Sequence, residues 1–320
     1  MQANIDAIEL LDSRIVLDGD LTFTKPFGKY TVPSSGSYTI SSTNSDGSKK
    51  TLRQLFEEAF SETSVGTITQ PSYSFSAPGN QEGEIGSTYT LPSATFTVTS
   101  VGSYQYGSET GAGTGITYSG TLTGTGATDV TFSALGNQQT AKITAVGTNT
   151  YIDGTTTYSF GGSYSHTAGA APKTNLGGID STKAISGKTN QSLGTKTVTF
   201  TGYNKMFIGV ANKSTGFTSA EIRVLNKINT KAARITNREF TANAGDKTIV
   251  IAYPTSLTTS EPKLETQSLG TWNEQTLVTA GTINVTDASL NTATAKQYYI
   301  YTYTPSSGSF EADTPVRVSI

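Results

Sequence analysis

Glu82 and Glu84 stand two residues apart in the Gly-rich stretch NQEGEIG. On a strand, side chains two apart share a face, so the pair would set two carboxylates side by side. Glycoside hydrolysis needs carboxylates on either side of a scissile bond, and no further acid is singled out to face this pair. Glu57 and Glu58 fall on the polar side of a helix and are no better placed. His166 is the one histidine of the chain. A triad would need a nucleophile and an acid converging on it. Its neighbours read as a strand end or turn, so a surface or structural role is expected. One His and no Cys leave no ligand set for zinc. Asp18-Gly19-Asp20 supplies too few oxygens for calcium and reads as a solvated turn. Gly111, Gly113 and Gly115 lack the spacing and the following helix of a dinucleotide cradle. The expectation is a non-enzymatic chain with no catalytic residue, no metal and no cofactor.

Aromatic residues offer a second kind of chemistry, contact with sugars or partners. Tyr104, Tyr106, Tyr118, Tyr151, Tyr158 and Tyr164 could stack on a glycan, but Tyr is also an ordinary strand residue, and core packing is the simpler expectation. Trp272, in the loop-like stretch LGTWNEQ, is the better candidate for a surface contact. Three glycosylation patterns begin at Asn190, Asn212 and Asn284, and they carry weight only in an exported chain.

The elements that must position these residues are β-rich. Apolar residues make up 34% of the chain and charged residues 14%. Disorder pairs low hydrophobicity with high charge, whereas here Thr, Ser, 33 Gly and 16 Tyr fill the difference. Net charge is −2, so no global field favours nucleic acid or an anionic membrane. No run of 18 apolar residues exists, which excludes insertion by a transmembrane helix. Charge is nonetheless uneven. Residues 1–67 carry 6 basic and 9 acidic groups, residues 68–185 carry 3 and 6, and residues 186–320 carry 13 and 9. The simplest account of the basic excess is a solvated surface, with a phosphate-binding patch as the alternative. The start MQANIDAIELLDSR lacks a basic region and an apolar run. A surface-type composition with such a start fits either a mature fragment whose signal was removed or a chain assembled in a cytoplasm and exposed later, and the acidic, apolar start favours the second.

Three parts follow along the chain. Residues 1–67 form a small N-terminal element. Ile15–Leu17 and Leu21–Thr24 read as short strands, either a hairpin about Asp18-Gly19-Asp20 or an arm that orders on a partner. Thr51 and Gln54 make a T-x-x-Q capping box, and Leu52, Leu55, Phe56, Ala59 and Phe60 line one face of a helix over 51–60. A helix this short needs a surface to dock on. Residues 68–185 carry short strands with turn signals every ten to fifteen residues, the pattern of an immunoglobulin-like sandwich. Ala168–Asn190 reads as a linker or long loop. Residues 186–320 form a second β domain. Its strands are expected at Thr195–Phe200, Lys205–Val210, Ile249–Tyr253, Thr276–Val278, Thr282–Val285, Gln297–Tyr303 and Val316–Ile320. A short helix is favoured over a strand at Thr218–Asn226, where Thr218 and Glu221 make another capping box. The expected fold class is all-β, with two immunoglobulin-like sandwiches in tandem after a small element holding one short α-helix.

The stretch Gly28, Lys29, Tyr30, Thr31, Pro33, followed by Thr51, Leu52, Leu55, Phe56, Ala59 and Phe60, resembles an N-terminal element of virion proteins in Bacteroides-infecting tailed phages, including the crAss-like group. Glu84-Ile85-Gly86-Ser87 resembles the start of their β-sandwich modules, and IVIAYP, YYIYTYTP and VRVSI are similar to their terminal domains. The resemblance implies a structural protein of a virion, assembled in the host cytoplasm. A head fibre or capsid decoration protein is the first reading, a tail fibre or tail-associated protein the second. Its partners would be other capsid or tail proteins, further copies in a homo-trimer and a host-surface glycan. Gly28, Tyr30, Pro33, Leu52, Leu55, Phe56 and Phe60 would serve attachment or oligomer packing, and Trp272 surface contact. A bacterial surface adhesin or carbohydrate-binding module is the alternative of another class.

Overall fold

The computed structural model describes residues 19–23, 38–44, 47–51, 54, 66–106, 109–112, 115–173 and 179–320. The fold is mainly β, arranged as two sandwich-like bodies. In the first body, one sheet runs in the spatial order Val130–Leu135, Tyr118–Gly124, Thr155–His166, Lys196–Tyr203 and Gln81–Glu84. The facing sheet runs Thr140–Thr144, Ser93–Ser100, Ser72–Ser76. The opening stretch changes sheets. Ser72–Ser76 pairs antiparallel with Ser93–Ser100, and Gln81–Glu84 then pairs parallel with Lys196–Tyr203. A smaller sheet joins Thr67–Thr69, Ser103–Tyr106 and Glu109–Ala112.

Alternation in SATFTVTS turns Ala94, Phe96 and Val98 inward, where each is wholly buried. Phe96 lies at the centre, with ring centroids 4.9 Å from Phe132, 5.3 Å from Tyr73 and 5.8 Å from Tyr118. The long strand Thr155–His166 keeps its pairing with Tyr118–Gly124 but changes partner on its other edge at Gly161-Gly162. Before that point it pairs with Lys196–Tyr203, after it with Lys188–Ser192. Gly162 has φ +137°, and a Cβ there would sit 2.1 Å from the Thr121 carbonyl oxygen. Only glycine fits such a position.

Lys188–Ser192 and Lys196–Tyr203 therefore close the first body, so pairing divides the bodies at Asn204 rather than at 185/186. Thr195–Phe200, expected in the C-terminal domain, belongs to the first one. The stretch Ala168–Asn190, expected as a linker or long loop, belongs to that body where it is described, with a 3-10 turn at Ser181–Lys183 and its end in the strand Lys188–Ser192. Ile185 is buried in its core, the Gly169 amide donates to the Ile185 carbonyl at 2.9 Å, and the Tyr106 hydroxyl donates to Asp180 at 2.9 Å.

The second body stacks a sheet ordered Ile228–Lys231, Lys205–Ala211, Thr248–Pro254, Lys296–Tyr303, Val278–Val285 on one ordered Arg238–Ala242, Thr314–Ser319, Lys263–Ser268, Thr271–Gln275. Every residue of Thr248–Pro254 is buried, as a continuous apolar strand covered on both faces should be. Ile249, Ile251 and Tyr253 meet the facing sheet through Leu264, Val316 and Val318. Val250 and Ala252 lie under Phe207, Phe217, Ile222 and Leu225. That outer cover is carried partly by the helix Ser219–Arg223, whose capping box forms as expected. Five residues cannot hold a helix in water, and wholly buried Ile222 anchors this one. Thr282–Val285 lies in the longer strand Val278–Val285, which has a bulge between Thr279 and Gly281, while of the expected strand Thr276–Val278 only Val278 belongs to it.

Candidate functional site

The N-terminal element is described in part. Leu21–Phe23 pairs antiparallel with Tyr38–Ile40, and Ile15–Leu17, the other strand expected beside it, lies outside the described residues. Asp20 extends this pairing. One of its oxygens accepts from the Ser42 amide at 2.7 Å and from the Ser42 hydroxyl at 2.9 Å, and these bonds hold its carboxyl below the ordinary value. Thr43 then bridges Lys49, and the Lys50 amide donates to the Ser42 carbonyl at 2.7 Å. The Gln54 amide donates to Thr51 Oγ1 at 3.2 Å and the Thr51 amide to Gln54 Oε1 at 2.8 Å. Both arms of the capping box are in place. Gly28, Tyr30, Pro33, Leu52, Leu55, Phe56 and Phe60 lie outside the described residues.

The carboxylates of Glu82 and Glu84 point to the second body. Glu84, largely buried, meets Arg223 at 2.6 Å and Lys205 at 3.0 Å through its two oxygens. Glu82 meets Lys231 at 2.6 Å, and Asp153 meets Lys296 at 2.5 Å. In each pair the acid comes from the first body and the base from the second. The charge asymmetry along the sequence is thus partly spent on joining the two bodies, which a purely solvated basic excess would not do. Around Glu84 the contacts are close. The Tyr298 hydroxyl donates to the Lys205 carbonyl at 2.6 Å, and burial, reinforced by the Glu84 charge, raises its pKa. The Ala288 amide donates to the Ile85 carbonyl at 2.9 Å.

Gly86 (φ +84°) packs against Asp287, and a Cβ there would lie 2.5 Å from the Asp287 carboxyl carbon. Asp287 is itself buried and accepts from the Ser289 amide and hydroxyl, the Asn291 amide and the Thr294 hydroxyl. Burial pushes its pKa up, but these hydrogen bonds outweigh it and hold the carboxyl below its ordinary value. Sequence reading missed this junction. The one signal available was the opposite charge balance of the two halves.

Trp272 is on the strand Thr271–Gln275, not in a loop. Leu269 and Gly270, at φ +48° and +82°, make the turn before it. Its ring is half-buried, and the Arg317 guanidinium lies over it at 4.5 Å. Arg317 is held in turn by Glu265, with two nitrogens at 2.7 Å from one carboxylate oxygen. Lys263 meets the other oxygen at 3.2 Å. His166 is buried beside Tyr118, with Nδ1 3.0 Å from the Thr167 carbonyl oxygen. Tyr106, Tyr118, Tyr151, Tyr158 and Tyr164 are buried, so core packing accounts for them. Among the described residues no three His, Cys, Asp or Glu side chains could hold a metal ion, and no helix is long and apolar enough to cross a membrane.

Among the described residues are two open polar grooves. One of about 480 Å³ follows the change of partner at Gly161-Gly162 and is lined by Thr123, Thr125, Asp129, Ser159 and Thr195 among others. One of about 620 Å³ lies between Ile228–Lys231 and Arg238–Ala242. Comparison with protein-family models, curated proteins and solved structures finds no match to this chain.

Proposed function

We propose that the chain is a non-enzymatic structural component of a tailed-phage virion. It is a head fibre or capsid decoration protein, anchored through its N-terminal region and displaying the two sandwich-like bodies outward. The observation that carries this reading is the capping box at Thr51 and Gln54, with both of its arms in place. The sequence sets Leu52, Leu55, Phe56 and Phe60 at helical spacing after this cap, and a short apolar helix face needs another surface to bury it. Neighbouring virion subunits or two further copies of the chain supply that surface. The junction at Glu84 supports the reading from the other end, because a displayed arm works best when its bodies move together. A tail fibre or tail-associated protein would use the same anchor.

Two measurements test the reading. The gene neighbourhood should hold portal, capsid and tail genes, and an operon of bacterial surface proteins would overturn it. Leu55→Asp with Phe56→Asp should abolish incorporation into particles and reduce the mass seen by light scattering. Unchanged mass with full incorporation would remove the role assigned to the helix.

A further inference from the structure

The groove between Ile228–Lys231 and Arg238–Ala242 has the chemistry of a binding site. Each strand is the outermost of its sheet, and such a strand presents backbone N–H and C=O groups without ladder partners. Lys227 and Arg238 line the groove. Of the nine described bases from Arg223 to Arg317, five pair with an acid, Arg223, Lys231 and Lys296 at the junction and Lys263 and Arg317 around Glu265. Lys227 and Arg238 make no ion pair and no side-chain hydrogen bond among the described residues. Asn229, Thr230 and Asn237 supply neutral donors and acceptors to the same lining. Asn237 is fixed in place, at φ +49°, with its amide donating to Ser319 Oγ at 2.9 Å. Glu239 completes the lining and stands opposite Arg317 in the strand register, whose pKa its charge helps to raise.

We infer that this groove binds a saccharide carrying a carboxylate or a sulfate. Two cations and one carboxylate leave a single net positive charge, which suits one anionic group per sugar. A nucleic acid, with a phosphate at every step, asks for a stronger and longer basic track. The amide and hydroxyl side chains match ring hydroxyls, and the open shape admits a chain passing through. An acidic peptide adding as a strand to either edge is the competing occupant, and it would rely on backbone pairing with little call on Asn229 or Thr230. The inference rests on the groove itself and does not require the virion reading.

The test uses the full chain and isothermal titration with four probes. They are an oligomer of a hexuronic acid, a sulfated oligosaccharide, a neutral oligosaccharide of equal length and a short poly-glutamate peptide. Binding of the uronate or the sulfated oligomer is expected, weakened at least about tenfold by Lys227→Gln with Arg238→Gln and weakened again by added salt. Which of the two anionic oligomers binds identifies the anion. Asn229→Ala should weaken saccharide binding while leaving the fold intact, since its side chain is exposed. Lys142→Gln, an exposed base on the first body, should change nothing. Binding of the peptide but neither anionic sugar would overturn the inference in favour of strand addition. Equal binding of the neutral oligomer, equal loss in Lys142→Gln, or no binding of any probe would overturn it outright. Virion incorporation is a separate readout, so failure of one proposal leaves the other standing.

Discussion

The molecule builds the same arrangement twice. At the junction, Glu84 holds Arg223 and Lys205, and Arg223 lies over Phe207 at 5.6 Å. On the outer sheet of the second body, Glu265 holds Arg317 and Lys263, and Arg317 lies over Trp272 at 4.5 Å. In each, one acid fixes two bases and one base covers an aromatic ring. The difference lies in what is joined. Glu265, Arg317 and Trp272 are cross-strand neighbours in one sheet. Glu84 and Arg223 belong to different bodies, and Phe207 beneath them is wholly buried while Trp272 is not. The same chemistry therefore serves as a joint in one place and as surface cover in the other.

The largest expected contrast is between the two rings. Phe207→Ala should cost about 3–5 kcal/mol, as for other large core truncations. Trp272→Ala, from a half-buried site, should cost about half as much. Chemical denaturation of both variants checks this, and equal losses would mean that Trp272 is a core residue in all but exposure. The next contrast is between the acids. Glu84→Gln leaves two bases facing each other in a largely buried site and should cost about 3 kcal/mol. It should also separate the unfolding of the two bodies, so that calorimetry resolves two transitions. Glu265→Gln should lower only the transition of the second body. A cycle of Glu84→Gln with Arg223→Met should recover part of the loss, because the two residues act on one another.

What could be read from the sequence follows the range of the interactions involved. The capping boxes at Thr51/Gln54 and Thr218/Glu221 span three residues, and both are present. IVIAY announces its own burial, because an unbroken apolar run can only sit between two layers. That Glu82 and Glu84 share a face was also legible. Their partners were not, since Lys231 lies 149 positions beyond Glu82, and no local pattern encodes such a meeting. Thr195–Phe200 is legible as a strand, seen at Lys196–Tyr203, but its membership of the first body is not, for the same reason. Its parallel partner Gln81–Glu84 lies more than a hundred residues earlier. Trp272 was read as a loop residue because its edge strand has no apolar alternation to mark it. For the attachment residues, Thr51 and Gln54 connect the sequence reading to the structure, and Leu52, Leu55, Phe56 and Phe60 lie outside the described residues.

Acid should sharpen the comparison further. Asp287, beside the joint, is held below its ordinary value of 3.8. Glu265, on the outer face, is held below 4.5 by Arg317 first, against burial and with Lys263. A carboxyl lowered in the folded state adds stability that is present above its unfolded value and lost as pH falls through the folded one. Both regions should therefore weaken below about pH 4, each on its own titration. Asp287→Asn should flatten the acid dependence of the coupling between bodies, and Glu265→Gln that of the second body alone. Carboxyl carbon shifts followed by NMR would show the two midpoints directly. Midpoints at or above the ordinary values would remove the role given to these hydrogen bonds.

The smallest effect expected concerns the outlying pairs of the junction. Lys231–Glu82 and Lys296–Asp153 have short contacts, yet their side chains are about half exposed, 47% and 54% in the first pair and 43% and 59% in the second. Exposed pairs contribute about 0–1 kcal/mol and are screened by salt. Lys296→Ala and Lys231→Ala should each shift the unfolding midpoint by no more than this, even though they span the same two bodies as Glu84. Raising the ionic strength to about 1 M shortens the screening length to about 3 Å, which should cancel their contribution and leave the shielded Glu84 contacts in place. If salt alone separates the two transitions that Glu84→Gln separates, the joint is held by its rim, and the burial of Glu84 matters less than its charge. If salt leaves them together, the joint depends on the contacts shielded from water around Glu84, Arg223 and Tyr298, and the exposed pairs add little to it.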